Sequence, residues 1–496
     1  MSAISDALRT AEPEGRYEVD RVVPFDSAGA EVVVMSDLHL GDGRHADGTY
    51  HGSEHFFADE AFSRLLDRLH HDVERHGGVL VLNGDVVDFL RIGHTPVTDG
   101  EFAQWSTLLA RLGHPKDEAT LRKISAKERA YGLKTHDYKS AWKLATIAHG
   151  HAPFFDALAT WIDRGHRLVV VKGNHDLEWY WPLVRDTLRL LLAERMDGAT
   201  DDDAIAARIA GPIAAQLSFV DHAMVLDDVF YVEHGHRYDR YSHVVDGPTL
   251  PGGQELNIPF GSFFNRYLVN KIELAYPFID NVRPRENLLP ILMRERFSLG
   301  LRLMARVPRM LLLIPARYYS YMFRKFALTV LAFVLPVVAV LVLEWPELLI
   351  AFGRVQGAAT TTAGAIVSKV LRDVATLLSA YLLARLAAYF QLVEPSSLAR
   401  EAHRVLEKHA KYRFVTFGHT HDPDTFEKDG RWFHNTGTWI PIVETSSAEI
   451  RHDKTYTFLH IGRGADGRLA PGRLLRWNDD AGRADPALLV QRPVAR

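Results

Sequence analysis

Five short apolar runs in this chain each end in a cluster of Gly, Asp, Asn or His. That repetition limits the fold more than any other feature. EVVVM (31–35) leads into SDLHLGD, VLVL (79–82) into NGDVVD and LVVV (168–171) into KGNHD. VFYV (229–232) leads into EHGHRYD, and RFVTF (413–417) into GHTHD. Unbroken runs of four or five apolar residues suit strands covered on both faces, because a half-exposed strand would alternate. Helical patterns such as AFSRLLDRLHHDVERH (61–76) lie between them. Strands alternating with helices predict an α/β core whose site lies along the carboxyl edge of the strands.

At 496 residues the chain can bury a large core, but the strand pattern is interrupted. Residues 101–150 are polar, Lys-rich and helical in pattern, an excursion near the predicted site. From about 251 proline becomes frequent and strand signals stop until Arg413. The predicted organisation is a core in two parts, 1–250 and 401–496, around a helical apolar insertion, 251–400. RWFHNTGTW (431–439) and KTYTFLHI (454–461) read as closing strands.

The clusters carry their own chemistry: Asp37-x-His39, Gly84-Asp85-x-x-Asp88, Gly173-Asn174-His175-Asp176, His234-Gly235-His236 and Gly418-His419-x-His421. On extended backbone residues i and i+2 point the same way, so Asp37 with His39, and His419 with His421, can aim into one cavity. The chain has no cysteine, so a metal here must be held by His, Asp, Glu, Asn or backbone oxygen. Such donors suit manganese, iron, zinc or magnesium. They are too many for one tetrahedral ion. Two metals, about 3.5–4 Å apart and clamping a phosphoryl group, account for the number. Either His234 or His236 can be the ligand of its cluster; His234, at the strand end, is favoured. Asp42 and Asp176 read as hydrogen-bonding loop residues, His45, His51 and His55 as the lining of a substrate mouth or, the favoured reading, an exposed polar loop, and His149, His151 and His434 as structural.

In order, DLH, GDVVD, GNHD, HGH and GHTH resemble the motifs of the calcineurin-like metallophosphoesterase superfamily, over roughly 31–240 and 410–440. The resemblance implies a β-sandwich flanked by helices, with two divalent ions, expected to be Mn2+, at its edge. It implies Asp37, His39, Asp85 and His421 on one ion, and Asp85, Asn174, His234 and His419 on the other, with Asp85 bridging. It implies hydrolysis of a phosphoester by metal-activated water, with His175, oriented by Asp88, at the leaving oxygen. Asn435 in HNTGTW would position backbone.

The insertion points to a membrane. Residues 283–325 contain ten Lys or Arg against Glu286 and Glu295, and Arg302, Arg306 and Arg309 fall at helical spacing. Such a stretch suits an anionic lipid surface. Phe326 to Leu343 follow without one charge, and 374–390 is a second apolar stretch broken by Arg385. Because both flanks of the insertion build one site, the chain crosses a bilayer an even number of times or not at all. A spanning hairpin, helices lying in the interface and a buried or dimer-forming subdomain all satisfy this. Within the superfamily the pattern looks most like the UDP-2,3-diacylglucosamine pyrophosphatase branch, which implies a phospholipid or nucleotide-linked glycolipid substrate. The N-terminus lacks a secretory pattern, so the cytoplasmic face of the membrane is the expected location. The competing reading is a phosphodiesterase or phosphatase on a soluble ester, with the insertion serving oligomerisation. A formal charge of −4 excludes a globally basic nucleic-acid binder, and the basic stretch lacks interleaved aromatic platforms, so no nucleic-acid partner is expected. Whether the chain is a homodimer stays open.

Overall fold

The computed structural model describes residues 2–12, 17–73, 77–239, 241–274, 282–283, 297–298, 398–444, 449–450, 452–487 and 489. Its strands in chain order are β1 (Val22–Phe25), β2 (Glu31–Met35), β3 (Gly78–Asn83), β4 (Arg167–Val171), β5 (Leu217–Val220), β6 (Ala223–Leu226), β7 (Phe230–Glu233) and β8 (Val282–Arg283). They continue with β9 (Phe414–Phe417), β10 (Asp424–Lys428), β11 (Arg431–Asn435), β12 (Val443–Glu444), β13 (Glu449–Ile450), β14 (Thr457–Ile461), β15 (Arg473–Asn478) and β16 (Arg483–Pro486). All five apolar runs read from the sequence are strands here: β2, β3, β4, β7 and β9.

Two large sheets result, in the orders β16-β15-β14-β2-β3-β4-β5 and β1-β6-β7-β9-β11-β10, beside a small ribbon β13-β12-β8. β2, β3, β4 and β5 are parallel, and so are β7, β9 and β11. The remaining strands are attached mainly through antiparallel pairs such as β6–β7 and β14–β15.

Side-chain alternation explains why the central runs are apolar throughout. Val32, Val34, Val79, Val81, Val169 and Val171 point to one side and share a core with Met224, Leu226, Phe230, Val232 and Phe414 of the other sheet. Val33, Met35, Leu80, Leu82, Leu168 and Val170 point to the opposite side. They pack on the helices Asp59–Val73, Asp137–Gly150, Ala152–Asp163 and Pro182–Ala193. The outer face of the second sheet, through Val225, Tyr231, Val415 and Phe417, meets Leu398, Ala402 and Leu406 at the helix Ala399–Lys408. The layers are therefore helix, sheet, sheet, helix. With roughly 1.5–3 kcal/mol for each buried Val or Leu, the two faces of β2–β4 supply a large share of the driving force.

The chain divides into two compact units, Met1–Pro284 with Pro395–Arg496, and Arg285–Glu394. All the strands among the described residues belong to the first. Residues 251–274, counted with the insertion on sequence grounds, are bonded to the core: Leu256 N donates to Thr135 Oγ1 (2.9 Å) and Arg266 Nη2 to Gly132 O (2.7 Å). Among the described residues no helix is long and apolar enough to cross a membrane. The apolar stretches 326–343 and 374–390 lie outside the described residues, as does the basic stretch 283–325 apart from Arg283, Phe297 and Ser298.

Candidate metal centre

Parallel pairing brings the carboxyl ends of β2, β3 and β4 to one edge of the first sheet, and those of β7 and β9 to the edge of the second. The two edges are tied together. Asn83 Nδ2 donates to Glu233 O (2.9 Å), His234 Nδ1 donates to Asn83 O (2.8 Å), and Gly418 N donates to His234 O (2.9 Å). The loops after β2 and β3 are also zipped: Asp37 N donates to Gly84 O (3.1 Å), Leu38 N to Asp85 O (3.0 Å) and Asp88 N to Leu40 O (2.8 Å).

This places eight of the nine predicted residues against one another, with Asn174 next to His175 in the loop after β4. Asp37 Oδ1 lies 3.3 Å from His421 Nε2, and His39 Nε2 lies 3.1 Å from His421 Nε2. Asp85 Oδ2 sits centrally, 3.9 Å from His39 Nε2 and 3.2 Å from His234 Nε2. Donor atoms of Asp37, His39 and His421 form one group of metal-binding size, and those of Asp85, His234 and His419 another. A third group, His39, Asp88 and His175, is closed by Asp88 Oδ2, which lies 3.1 Å from His39 Nδ1 and 2.8 Å from His175 Nδ1. His236 opens the short turn His236–Tyr238 and joins none of these groups.

The side chains do not converge by strand alternation, as the i, i+2 spacing suggests. Asp37, His39, Asp85, His419 and His421 all have left-handed backbone, with φ of 56°, 52°, 51°, 69° and 58°. At about 1–2 kcal/mol each, five such residues store roughly 5–10 kcal/mol, comparable to the whole net stability of a typical domain. Hydrogen bonds over-determine the conformation: Thr438 Oγ1 donates to Asp37 O (2.6 Å) and His419 N to Asp37 Oδ2 (3.0 Å). Strain held in this way collects at functional sites.

The electrostatics call for cations. Burial pushes the carboxyls of Asp85 and Asp88 up, but His234, His175 and His39 around Asp85, and His175, His39 and Arg91 around Asp88, outweigh it and hold both well below the usual range. Burial lowers the His234 imidazole, yet Asp85 and Asp37 raise it to about 10. Asp176 is driven to about 7 by burial and by Asp85; it accepts from Gly173 N (2.6 Å) and Val86 N (3.0 Å). Protons on imidazoles thus stand where divalent ions would compete for the same lone pairs.

Three buried atoms mark where an ion fits. Asp37 Oδ1, Asn174 Oδ1 and His234 Nε2 make no hydrogen bond. His234 Nδ1 must carry a proton, since Asn83 O can only accept, so the proton an ion displaces is the one on Nε2, whose lone pair it then takes. His419 is held at Nε2 by Asp239 Oδ2 (3.2 Å), which leaves Nδ1 for an ion. Metal–ligand bonds of about 2.1 Å put neighbouring donor atoms about 3.0–3.4 Å apart, close to the 3.1–3.3 Å separations here. The site holds buried His and Asp groups able to bind metal.

No family model and no curated protein matches this chain. Of the nine predicted residues His175 and His421 are the most exposed, at 7% and 9%, so the mouth lies on their side.

Several residues around the site carried no assignment from the sequence. Asp239 closes the EHGHRYD cluster and was visible as part of it. Arg91, three residues after Asp88, donates from Nε to Asp88 Oδ2 (2.9 Å), a pairing its spacing could have suggested. Asn265 and Glu273 are far away in the chain and nothing local marks them. His55 is not the exposed loop residue expected: it is 1% exposed, with Nε2 3.2 Å from Glu273 Oε1. His45 is exposed as expected and stacks on half-buried His51, ring centroids 3.5 Å apart. Asn435 Nδ2 donates to Gly418 O (2.8 Å) and its Oδ1 accepts from Gly437 N (2.9 Å), which braces the loop carrying His419.

Close approach sets the glycines. A Cβ on Gly173 would sit 2.1 Å from Asp85 Oδ1, and one on Gly84, whose φ is +82°, would sit 2.5 Å from the His234 ring. Gly173→Ala is expected to displace the central carboxylate and lower bound metal by at least about tenfold in affinity while the far-UV circular dichroism is kept. Unchanged metal affinity in that variant would mean that Asp85 does not hold metal.

Proposed function

We propose that this protein is a hydrolase of phosphoesters or pyrophosphates that depends on divalent metal, and that its substrate presents the phosphate at a membrane surface. The observation that carries the reading is the convergence of Asp37 Oδ1, His39 Nε2, His421 Nε2, Asp85 Oδ2 and His234 Nε2 beside a His175–Asp88 pair at the open side. A structural ion needs no acid pair at its mouth. We assign Asp37, His39, Asp85 and His421 to one ion and Asp85, Asn174, His234 and His419 to a second. Manganese suits a set that mixes carboxylates and an amide oxygen with imidazoles. Two such ions, when bound, supply Lewis-acid charge to the phosphoryl oxygens and hydroxide at neutral pH.

The chain's own groups do the rest. Asp88 accepts from Nδ1 of both His39 and His175, which fixes both rings and directs both Nε2 atoms away from it. A proton on His175 Nε2 can pass to the departing oxygen. The lipid half of the reading rests on the basic stretch 283–325 and the apolar segment 326–343, set between the two parts of the core.

The test is release of phosphate or nucleotide by metal-depleted protein reloaded with Mn2+. Substrates are UDP-2,3-diacylglucosamine and a phospholipid extract in detergent micelles, beside a soluble diester. Metal-dependent turnover that prefers the micellar substrates is expected. Absence of any phosphoester hydrolysis would sink the enzyme reading; equal turnover of the soluble diester would remove the membrane and leave the chemistry.

A further inference from the structure

Residues Phe260–Phe264, Asn265–Val269 and Asn270–Glu273 form a strap of three short helical pieces across the mouth of the site. It is fastened on both sides of the His175–Asp88 pair. Ser262 Oγ donates to Asn174 O (3.0 Å), and the amide of Asn265 reaches His175 Nε2 at 3.4 Å. Asn270 Nδ2 donates to Leu90 O (2.7 Å), and buried Glu273 pairs with Arg91 Nη1. Arg91 Nε in turn donates to Asp88 Oδ2, the oxygen that also holds His175 Nδ1. Asn265 also opens a π-helical turn, a wider coil often kept where a side chain must be aimed at a functional site.

We propose that Asn265 is a positioning residue for His175: its amide fixes the imidazole so that Nε2 faces the leaving oxygen of the phosphoester. This rests on the hydrolase reading above. With Asp88 holding Nδ1, the ring can still swing about that one bond, and Asn265 supplies the second fixed point. The amide serves both states of the ring. Its Nδ2–H donates to a bare Nε2, and turned over its Oδ1 accepts from Nε2–H. Nε2 has a single in-plane direction, so at this long contact the leaving oxygen shares the Nε2–H with Oδ1 and then takes the proton. In the step, one P–O bond forms to water oxygen and the bond to the leaving oxygen breaks. The proton on His175 Nε2 passes to that leaving oxygen, the water proton goes to solvent, and His175 takes a proton back from solvent.

The experiment uses the full-length, Mn2+-loaded protein and two soluble diesters, one with an alkyl and one with a p-nitrophenyl leaving group. Asn265→Ala is expected to lower kcat on the alkyl ester by about 10–100-fold with KM little changed. The p-nitrophenyl ester, whose leaving group departs without a proton, should keep its rate. In a His175→Ala background the Asn265 substitution should add nothing, as expected for residues acting as one unit. Metal content and Tm are measured alongside and should stay as in wild type. A readout independent of turnover is the imidazole 15N signal of His175 in histidine-labelled protein, which should move at Nε2 in Asn265→Ala. Equal losses on both esters, additive losses with His175→Ala, or an unmoved 15N signal would overturn the proposal. If the loaded wild type cleaves neither ester nor any other phosphoester, the hydrolase reading fails, while the 15N comparison still decides whether Asn265 holds His175.

Discussion

Asp85→Asn is expected to abolish hydrolysis, by at least about 10³-fold in kcat, an effect of about 4 kcal/mol or more. The substitution is isosteric and local. The side-chain oxygen that accepts from His175 N (2.8 Å) can be kept, so the new amide nitrogen falls where Oδ2 stood between His234 Nε2 and His39 Nε2. A donor then faces the atoms that should share an ion. The stability signature separates this from simple unfolding. Metal-free, the variant should be somewhat less stable than wild type. Against its burial, the ionised Asp85 is held well below the usual carboxylate range by His234, His175 and His39, and that pairing is lost, so the signature is read in the increment that Mn2+ adds. Metal-loaded, it should lose most of the stabilisation that binding gives, which is about 2.7 kcal/mol per site at an ion concentration 100 times Kd. Calorimetry with and without Mn2+, together with metal analysis, checks both halves. A variant that keeps wild-type metal content and turnover would show that the central carboxylate is not the bridge.

The core was legible because burial on both faces writes itself into the chain. β2, β3 and β4 carry valines and leucines at every interior position, which has only one reading when Gly-bearing polar clusters follow each run. The peripheral strands left no such record. β10, with Asp424 and Lys428 at its ends, and β16, Arg483–Pro486, are half-exposed sheet edges where composition follows solvent rather than pairing. At the site, residue types and order pointed to Asp37, His39, Asp85, His234, His419 and His421, whose donor atoms the structure gathers into groups of metal-binding size; Asn174 was reached only through the resemblance. The backbone beneath them was not legible. Nothing in Asp-Leu-His announces φ values of 56° and 52°, because only tertiary hydrogen bonds hold those angles. Nor could local sequence place Asn265 or Glu273, whose partners His175 and Arg91 lie more than eighty residues away.

Behind the first cluster a different kind of dependence operates, and Glu54→Ala should lower the unfolding free energy by about 3–5 kcal/mol. Glu54 is 3% exposed and accepts from four backbone N–H groups, Gly43 (2.7 Å), His55 and Phe56 (both 2.8 Å) and Gly41 (3.2 Å). Its other partner is His151, whose Nε2 lies 3.1 Å from Glu54 and whose Nδ1 lies 3.0 Å from Asp59 Oδ1. One carboxylate therefore ties the loop that follows Asp37-x-His39 to the junction of two helices. Burial pushes Glu54 up, but His151 and the backbone donors outweigh it and bring it down to about 2. Burial pushes His151 down, and Glu54 and Asp59 raise it to about 9. The signs fix the pH window. A lowered carboxyl contributes fully above its unfolded value of 4.5 and loses the contribution as pH falls toward about 2. A raised imidazole contributes fully below its unfolded value of 6.5 and loses it as pH rises through about 9. The gap between wild type and Glu54→Ala should therefore be widest between pH 4.5 and 6.5 and shrink on either side. Above pH 9 it should stay positive, because Glu54 remains ionised on its four N–H donors. Urea unfolding at about pH 5.5 and about pH 9.5 measures both gaps. A gap that does not change between them would mean that His151 carries no charge in the folded protein, and that the loop is held by backbone donors alone.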